Sequence, residues 1–474
     1  MNCWKHATNG LCLLAVSGNR LPGVFPSGPP VKFTPAYLSD RLRELPPAPR
    51  YWVAFSGGLD STVLLHALAR QQTRLGAELR AAHVNHHLNP TSDDWARHCA
   101  RICAALHVPL DCRSVRVTTA KGESLEAAAR NERYAVFREL LREGGMLLLA
   151  HQRDDQMETF LLQAFRGAGL RGLAAMPAFA ACGSGHLVRP LLAFSRNELR
   201  TWAEAEKLAW LEDPSNADIR FDRNYLRQRI VPVIRQRWPS AAETVTRSAR
   251  HCAETAEMLV AVAAEDWKRH AGGEISTLPL HALHELGKAR AKNLLRYWLG
   301  KLALTLPPAH KLERIFSELL PARVDRNPCI TWQGAEVRRY HERLYAMAPL
   351  PDPPEGFLLQ PGAVRALSPG LGTLRLVATG GAGIRLANCP PPGVRISFRV
   401  GGEVCQPAGR AHRRPLKKWL QELEVVPWMR ARLPLVYIGD ELAAVAGLFV
   451  CAPFAAGEDE PGLRIEWQSH PILR

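Results

Sequence analysis

The sequence predicts an α/β protein: a catalytic domain on a parallel sheet, then a mainly helical domain, then a small α+β domain. Three observations lead there. Between residues 51 and about 210, short apolar strand-like runs alternate with helical stretches, which is the pattern of a parallel sheet covered on both faces. From about 253 to 320 the apolar spacing is helical throughout. Beyond a proline-rich join at 351–354, strand-like pieces follow one another between loose Gly/Pro-rich segments.

Taken in order, residues 52–55 form the first apolar strand, and a glycine turn at 56–61 leads into an amphipathic helix. Residues 79–84 read as the second strand, 95–106 as a helix and 110–117 as the third strand. The stretch 124–142 is helical, with Ala127, Ala128, Tyr134, Val136 and Leu140 available for packing. The unbroken apolar run at 146–150 suits a fourth strand buried on both faces, and 154–165 is a further helix. A helix starting at Ser195 follows, where Ser195 and Glu198 have capping-box spacing. Residues 220–250 are rich in arginine, and 289–302 and 310–319 are helical. Residues 325–347 read as a β-hairpin with turn signals at Asn327-Pro328 and Gln333-Gly334. The expected organisation is an N-terminal extension over 1–46, disordered up to about 32; a catalytic domain over 47–250; a mainly helical domain over 251–350; a linker with strands over 351–392; and a C-terminal domain over 393–474.

A chain of 474 residues has room for two to four cores. Its net charge of +16 suggests a polyanionic partner, most often nucleic acid; an arginine-heavy composition without a partner is the alternative. The 11 cysteines are odd in number and include no C-x-x-C pair, so a reducing cytoplasm fits better than a disulfide framework. Cys99 and Cys103, one helical turn apart, read as core thiols. No apolar run approaches the roughly 18 residues of a membrane span. Lys5 before the short apolar run at 11–16 faintly imitates a secretory signal. The apolar run is short for one, so a disordered tail or a start placed too far upstream is expected instead.

The strand–turn–helix at 52–65 carries the densest chemical signal. Gly57 and Gly58 lack Cβ, so the backbone can bend sharply and approach an anion. Their N–H groups, and those of the helix start at Leu59, can point at phosphate oxygens, where the helix dipole favours negative charge. Ser56 and Ser61 add hydroxyl donors. Asp60 would repel a phosphate, so its sensible role is to hold Mg2+ beside one. An ordinary strand-to-helix turn is the alternative. Ser56, His83 and His151 all fall at or just past strand ends, where ligands of parallel sheets bind.

Two further clusters are open to two readings each. Asp155 and Glu158 share a helix face, with Asp154 or Asp155 able to cap that helix. They could bind Mg2+ or steer an amine, or only decorate a helix N-terminus. Arg130 and Arg133 recur at helical spacing beside Glu126 and Tyr134. They could clamp a polyphosphate or stabilise a transition-state oxyanion, or form an exposed salt-bridged face.

The Ser-Gly-Gly-x-Asp-Ser turn resembles the PP-loop of ATP pyrophosphatases, a fold of the adenine nucleotide α hydrolase kind. Along the chain come Ser-Gly-Gly-Leu-Asp-Ser, His-Val-Asn-His, Glu-Ala-Ala-Ala-Arg-Asn-Glu-Arg-Tyr, Asp-Asp-Gln-Met-Glu-Thr and Phe-Arg-Gly-Ala-Gly-Leu-Arg-Gly-Leu. Arg189-Pro190-Leu191-Leu192 and Arg223-Asn224-Tyr225-Leu226-Arg227 follow. Gly401-Gly402-Glu403, Arg414-Pro415-Leu416-Lys417-Lys418 and Val426-Pro427-Trp428 close the series. This ordered set resembles the tRNA(Ile)-lysidine synthases over nearly everything after residue 32. The hexapeptide alone is shared by many PP-loop enzymes. Gln152 departs from the pattern, standing where the family has a second histidine, so a catalytic role falls to His151 alone.

The resemblance implies a ligase that joins free lysine to C2 of the wobble cytidine in the CAU anticodon of an isoleucine tRNA. ATP first adenylylates the C2 oxygen, releasing pyrophosphate; the ε-amine of lysine then displaces AMP. ATP and Mg2+ are the implied cofactors, with Ser56, Gly57, Gly58, Leu59, Asp60 and Ser61 around the pyrophosphate and Asp60 on the metal. Asp60, Arg130, Arg133, His151, Asp155 and Glu158 are the candidate catalytic residues. Asp155 and Glu158 would take protons from lysine, and Arg130 or Arg133 would stabilise charge on the transferred phosphoryl group. Arg223, Arg227, Arg414, Lys417 and Lys418 are the candidate tRNA contacts. Trp419 and Trp428 accompany them as stacking candidates or core residues. A homodimer is compatible with the sequence. The alternatives are a PP-loop tRNA thiolase, disfavoured by the missing C-x-x-C, another adenylating PP-loop ligase, and a non-catalytic RNA-binding protein.

Overall fold

The computed structural model describes residues 32–88, 91–119, 124–271, 275–323 and 326–473. The residue-by-residue expectations for the first 31 positions, and for residue 325, lie outside the described residues. The chain divides into two compact units after Glu265.

The first unit begins earlier than expected. Helix α1 (Pro35–Arg43) starts on a proline, and the Thr34 hydroxyl accepts from the Tyr37 N–H. Phe33, Leu38 and Leu42 are buried in the main core. Residues 33–45 therefore belong to the catalytic unit, which corrects the boundary at 46/47. The alternation then proceeds as β1 (Arg50–Ala54), α2 (Leu59–Ala69), α3 (Gln72–Leu75), β2 (Glu78–Asn85), α4 (Ser92–Ala105) and β3 (Leu110–Ser114). It continues through α5 (Leu125–Leu140), β4 (Met146–Leu148), α6 (Arg153–Phe165) and α7 (Leu170–Leu173). A hairpin of β5 (Phe179–Cys182) and β6 (Gly185–Val188) comes next, then α8 (Arg196–Ala205). That hairpin was not expected from the sequence.

The six strands lie in the order β3-β2-β1-β4-β6-β5, parallel except for β5. Alternating residues feed opposite faces. Val53, Phe55, Leu79 and Leu148 join one core with α1, α2 and α8; Trp52, Ala82, Leu147 and Leu187 join another with Tyr134 and Phe137 of α5. Burial of both faces is why these strands read as unbroken apolar runs. Strand order reverses between β1 and β4, so the crevice beyond their carboxyl ends is the topological switch point. The turn at 56–61 and the segment at 151–158 both emerge there.

A long helix, Ala241–His270, crosses the expected boundary at 250/251. In the second unit, helices Leu280–His284, Lys288–Lys301 and Ala309–Arg314 accompany a four-stranded antiparallel sheet. Three of its strands, Cys329–Trp332, Ala335–Tyr340 and Arg343–Met347, form a meander where a single hairpin was expected. The Gln333-Gly334 turn occurs as expected, with Gly334 at φ +77°. Residues 351–392 are no linker: Phe357–Leu359 pairs with Val394–Phe398, and Thr373–Gly380 pairs with Pro461–Gln468. The expected boundary at 392/393 therefore runs through shared sheets.

Candidate active site

The site is built where three helix N-termini, those of α2, α6 and α8, meet the carboxyl ends of β1 and β4. The ends differ in one respect. At α6, Gln152 is the N-cap: its Oε1 accepts from the Asp154 N–H at 2.6 Å, while its own N–H donates to Asp155 Oδ2 at 3.0 Å. At α8, Ser195 and Glu198 complete the expected capping box. At α2, the cap position is Gly58, and no side chain caps the first turn. Its N–H groups are left to a ligand, and the helix dipole makes that ligand an anion.

The loop is held in shape from inside. Gly57 sits at φ +79°, and a Cβ there would meet Cys99 Sγ at 3.0 Å, so glycine is required twice over. Ser61 Oγ donates to the Gly58 carbonyl at 3.0 Å and stands 3.1 Å from Ser56 Oγ. Leu211 N–H donates to the Gly57 carbonyl at 2.9 Å, pinning a distant segment onto the turn. Asp60 Oδ1 is buried without a hydrogen-bond partner. Burial, and then the neighbouring charge of Asp155, push its carboxyl from 3.8 to about 7, against the opposing pull of Arg196 and Arg227. An orphaned buried carboxylate oxygen beside an anion cradle fits Mg2+, which takes one or two carboxylates and keeps substrate phosphates and waters as its other ligands.

Asp155 and Glu158 do share the inner face of α6, both buried. They are not free. Arg223 Nε reaches Glu158 Oε2 at 2.8 Å and its Nη2 reaches Asp155 Oδ1 at 3.1 Å. Arg227 Nε reaches Glu158 Oε1 at 2.7 Å and its Nη2 reaches Asp155 Oδ1 at 3.1 Å. Arg227 lies in a π-helical turn, Leu226–Ile230, of the kind that recurs at functional sites. Arg223 and Arg227 therefore line this crevice, whereas the sequence reading put them on a tRNA-facing surface. Asp154 caps no part of its own helix. One oxygen accepts from the Arg196 N–H of α8 at 2.8 Å and the other pairs with Arg235.

On the opposite side, His151 Nδ1 accepts from Arg189 Nε at 3.2 Å. Burial, then the charges of Arg189, Arg223, Arg130 and Arg133, hold its pKa well below the usual histidine range. That ring is a neutral imidazole carrying its proton on Nε2. The charges of Arg130 and Arg133 of α5 thus reach His151. Arg130 lies 5.0 Å over the Tyr134 ring, and Arg133 Nε donates to His86 Nε2 at 3.2 Å. Burial and Arg133 together lower His86 to about 4. His83 is inside β2 and not past its end; its Nδ1 donates to the Phe55 carbonyl at 2.8 Å, bracing the strand that enters the loop. His86, Ser114 and Arg116 line an open cleft of about 510 Å3 beyond β2 and β3.

Three family models match the chain. A PP-loop domain covers residues 36–234, a TilS substrate binding domain 278–345 and a TilS substrate C-terminal domain 394–467. A tRNA(Ile)-lysidine synthase of Coxiella burnetii is 42% identical over 439 residues, 92% of this chain and 97% of the relative. That of Alkalilimnicola ehrlichii is 42% identical over 447 residues, 93% and 98%. The protein of the same name from Methylococcus capsulatus is 39% identical over 435 residues, 89% and 97%.

The chain belongs to the tRNA(Ile)-lysidine synthase family.

Its PP-loop domain indicates ATP use, and no helix among the described residues is long and apolar enough to cross a membrane. The structure gives Gln152 a capping task with both its side chain and its N–H. Cys99 packs behind the PP-loop, which the sequence did not reveal. Burial pushes its thiol up to about 12, so it supplies no thiolate for sulfur chemistry. In the second unit, Arg414, Lys417 and Lys418 are exposed. Arg410 and Arg414 stack 5.6 and 5.2 Å over Trp419 and pair with Glu422. Trp419 and Trp428 are buried core residues, with Trp419 Nε1 donating to the Cys405 carbonyl at 3.1 Å.

Proposed function

We propose that this chain ligates free L-lysine to C2 of the wobble cytidine of an isoleucine tRNA with a CAU anticodon, at the expense of ATP. Membership of the lysidine synthase family supports the reaction. The observation that carries it in the structure is the uncapped first turn of α2 facing the Asp155–Glu158–Arg223–Arg227 cluster across one crevice.

The uncapped N–H groups of the PP-loop, with Ser56 and Ser61, hold the β and γ phosphates. Asp60 is the residue that would hold Mg2+, whose charge offsets that of the phosphates. The C2 oxygen of the cytidine attacks the α-phosphorus and pyrophosphate departs. Arg130 and Arg133 donate to the phosphoryl oxygens as charge builds there. The ε-ammonium gives up one proton to solvent; the free amine attacks C2, the C2–O bond breaks, AMP leaves with the C2 oxygen, and the second amine proton passes to the departing phosphate. Carboxylates already accepting from guanidiniums serve better to hold an ammonium than to take a proton. Asp155 and Glu158 therefore bind the α-ammonium of lysine, leaving its ε-amine free to attack, and the two arginines suit its α-carboxylate. A free amino acid carries both charges, and so does this cluster. The neutral His151, with its proton on Nε2, is a hydrogen-bond donor to the activated base.

In the second unit, Arg414, Lys417 and Lys418 present cations suited to tRNA phosphates. A cytoplasmic location and a homodimer are further parts of this reading. The test is lysine incorporation by purified protein with Mg-ATP and unmodified isoleucine tRNA. Radiolabelled lysine entering the tRNA with one pyrophosphate released per lysine, both lost on Asp60→Ala, supports the reading. Pyrophosphate release with no label in tRNA would reject lysine as the acceptor and leave the adenylation half standing.

A further inference from the structure

Arg196 is a cation that the reaction scheme above does not use. It is the first residue of α8, between the Ser195 cap and the body of the helix. Its main-chain N–H is fixed by Asp154 Oδ2 at 2.8 Å, and the preceding turn is tied to α6, where Arg153 N–H donates to the Phe194 carbonyl at 2.8 Å. The backbone of Arg196 is thus locked to the start of the carboxylate helix. Nε is buried with no hydrogen-bond partner, and no carboxylate among the described residues lies within ion-pair distance of the guanidinium.

An unpaired buried donor on a permanent cation is costly. The other arginines of the crevice are all engaged: Arg223 and Arg227 on Asp155 and Glu158, Arg189 on His151, Arg235 on Asp154. The neighbour with the matching deficit is Asp60, whose Oδ1 is the orphaned acceptor of α2. The charge of Arg196 reaches Asp60, yet Arg196 Nε and Asp60 Oδ1 are each left without a hydrogen-bond partner. A buried unpaired guanidinium nitrogen and a buried unpaired carboxylate oxygen, with an uncapped helix end, are complementary to one object: a metal-bound polyphosphate.

We propose that Arg196 is a pyrophosphate-binding residue, donating from its guanidinium to the phosphate oxygens that the PP-loop amides leave uncovered. This rests on the reading of the crevice given above. The guanidinium holds the β,γ-phosphates of ATP in the ground state and stays on pyrophosphate as the α–β bond breaks. It makes no claim on AMP, whose phosphate remains with the base. The competing source of the same chemistry is the α-carboxylate of lysine. Proximity to Asp60 of the loop favours the phosphates.

The experiment compares wild type, Arg196→Met and Arg196→Lys in steady-state lysine incorporation, with added pyrophosphate and AMP as product inhibitors. A charge-assisted hydrogen bond lost from a ligand weakens it by about tenfold or more. Arg196→Met is expected to raise the ATP KM and the pyrophosphate inhibition constant together by about that factor. AMP inhibition and the lysine KM should stay within about twofold. Arg196→Lys, retaining the charge but not the planar fork, should recover part of the loss. If Arg196→Met does not fold, the same ratio of pyrophosphate to AMP inhibition is read from Arg196→Lys alone. Unchanged ATP and pyrophosphate constants overturn the proposal. So does a rise confined to the lysine KM, with lysinamide no worse than lysine in the variant, since that assigns the guanidinium to the carboxylate. A wild-type protein that incorporates no lysine would instead fault the functional reading and not this inference.

Discussion

Asp60→Asn should make the ligand-free protein more stable at pH 8 while abolishing turnover. The carboxyl is pushed from 3.8 to about 7 by burial and by Asp155, and its Oδ1 has no partner. Between about pH 4 and pH 7 the folded state therefore holds a proton that the unfolded state has released. Stability falls as pH rises through that window and is flat on either side of it. A shift of about 3 units corresponds to about 4 kcal/mol of destabilisation at pH 8. The asparagine amide inherits the unsatisfied site and gives back about 1–3 kcal/mol of this. A net gain of about 1–3 kcal/mol is expected at pH 8, so urea melts should move to higher denaturant for the variant there, and the order should reverse near pH 4, where protonated wild type is the more stable by about 1–3 kcal/mol. Mg-ATP should stabilise wild type more than the variant, because the ligand offsets the charge that asparagine lacks. An equal or lower midpoint for Asp60→Asn at pH 8, or a wild-type profile without the fall between pH 4 and 7, refutes the claim that this carboxylate is held in strain for a cation.

Further outcomes follow from the same geometry. Arg227→Met leaves Glu158 with one guanidinium in a buried setting, and should cost about 3 kcal/mol in urea unfolding and raise the lysine KM; a change below about 0.5 kcal/mol would mean the pair is not buried as described. Gly57→Ala must adopt a positive φ and press on Cys99, so it should lower stability by about 1–3 kcal/mol and raise the ATP KM, read by thermal melts and initial rates. Lys417→Ala and Lys418→Ala should each reduce the salt slope of tRNA binding by about one. Arg410→Ala should change it less, because that guanidinium is already spent on Trp419 and Glu422.

What the sequence made legible was local. The PP-loop, the helix from Ser195 and the parallel strands all rest on spacing within about ten residues, and each is present. The shared face of Asp155 and Glu158 was readable because helical spacing decides it. What occupies that face was not, since Arg223 and Arg227 arrive from 65 to 72 positions away. A run of arginines after a catalytic domain reads as a basic surface until the chain is folded, and composition carries no sign of which guanidiniums turn inward. The same blindness hid Arg196. The domain limits failed for a related reason: strands at 357–359 and 373–380 find partners some 40 to 90 residues later, while the Pro- and Gly-rich stretches between them look like linkers.

The distribution of caps gives the site its direction. Three helices aim positive ends at one crevice, and a structure governed by stability alone would cap all three. Two carry capping boxes, Gln152 with Asp155 on α6 and Ser195 with Glu198 on α8. The third ends in two glycines, a carboxylate with a buried unpartnered oxygen and, across from it, an arginine with a buried unpartnered nitrogen. The deficits are opposite in sign and unpaired, so no rearrangement confined to the protein has been made to cancel them. A ligand that bore only negative charge would satisfy the amides and Arg196 but aggravate Asp60; one that bore only positive charge would do the reverse. The arrangement is relieved by a phosphate chain that brings its own divalent cation, and relieved least by AMP, which lacks the two phosphates the crevice is built around. Product release should then be ordered by charge: pyrophosphate with its metal stays on the loop after AMP transfer to the base and must depart before the loop can bind ATP again.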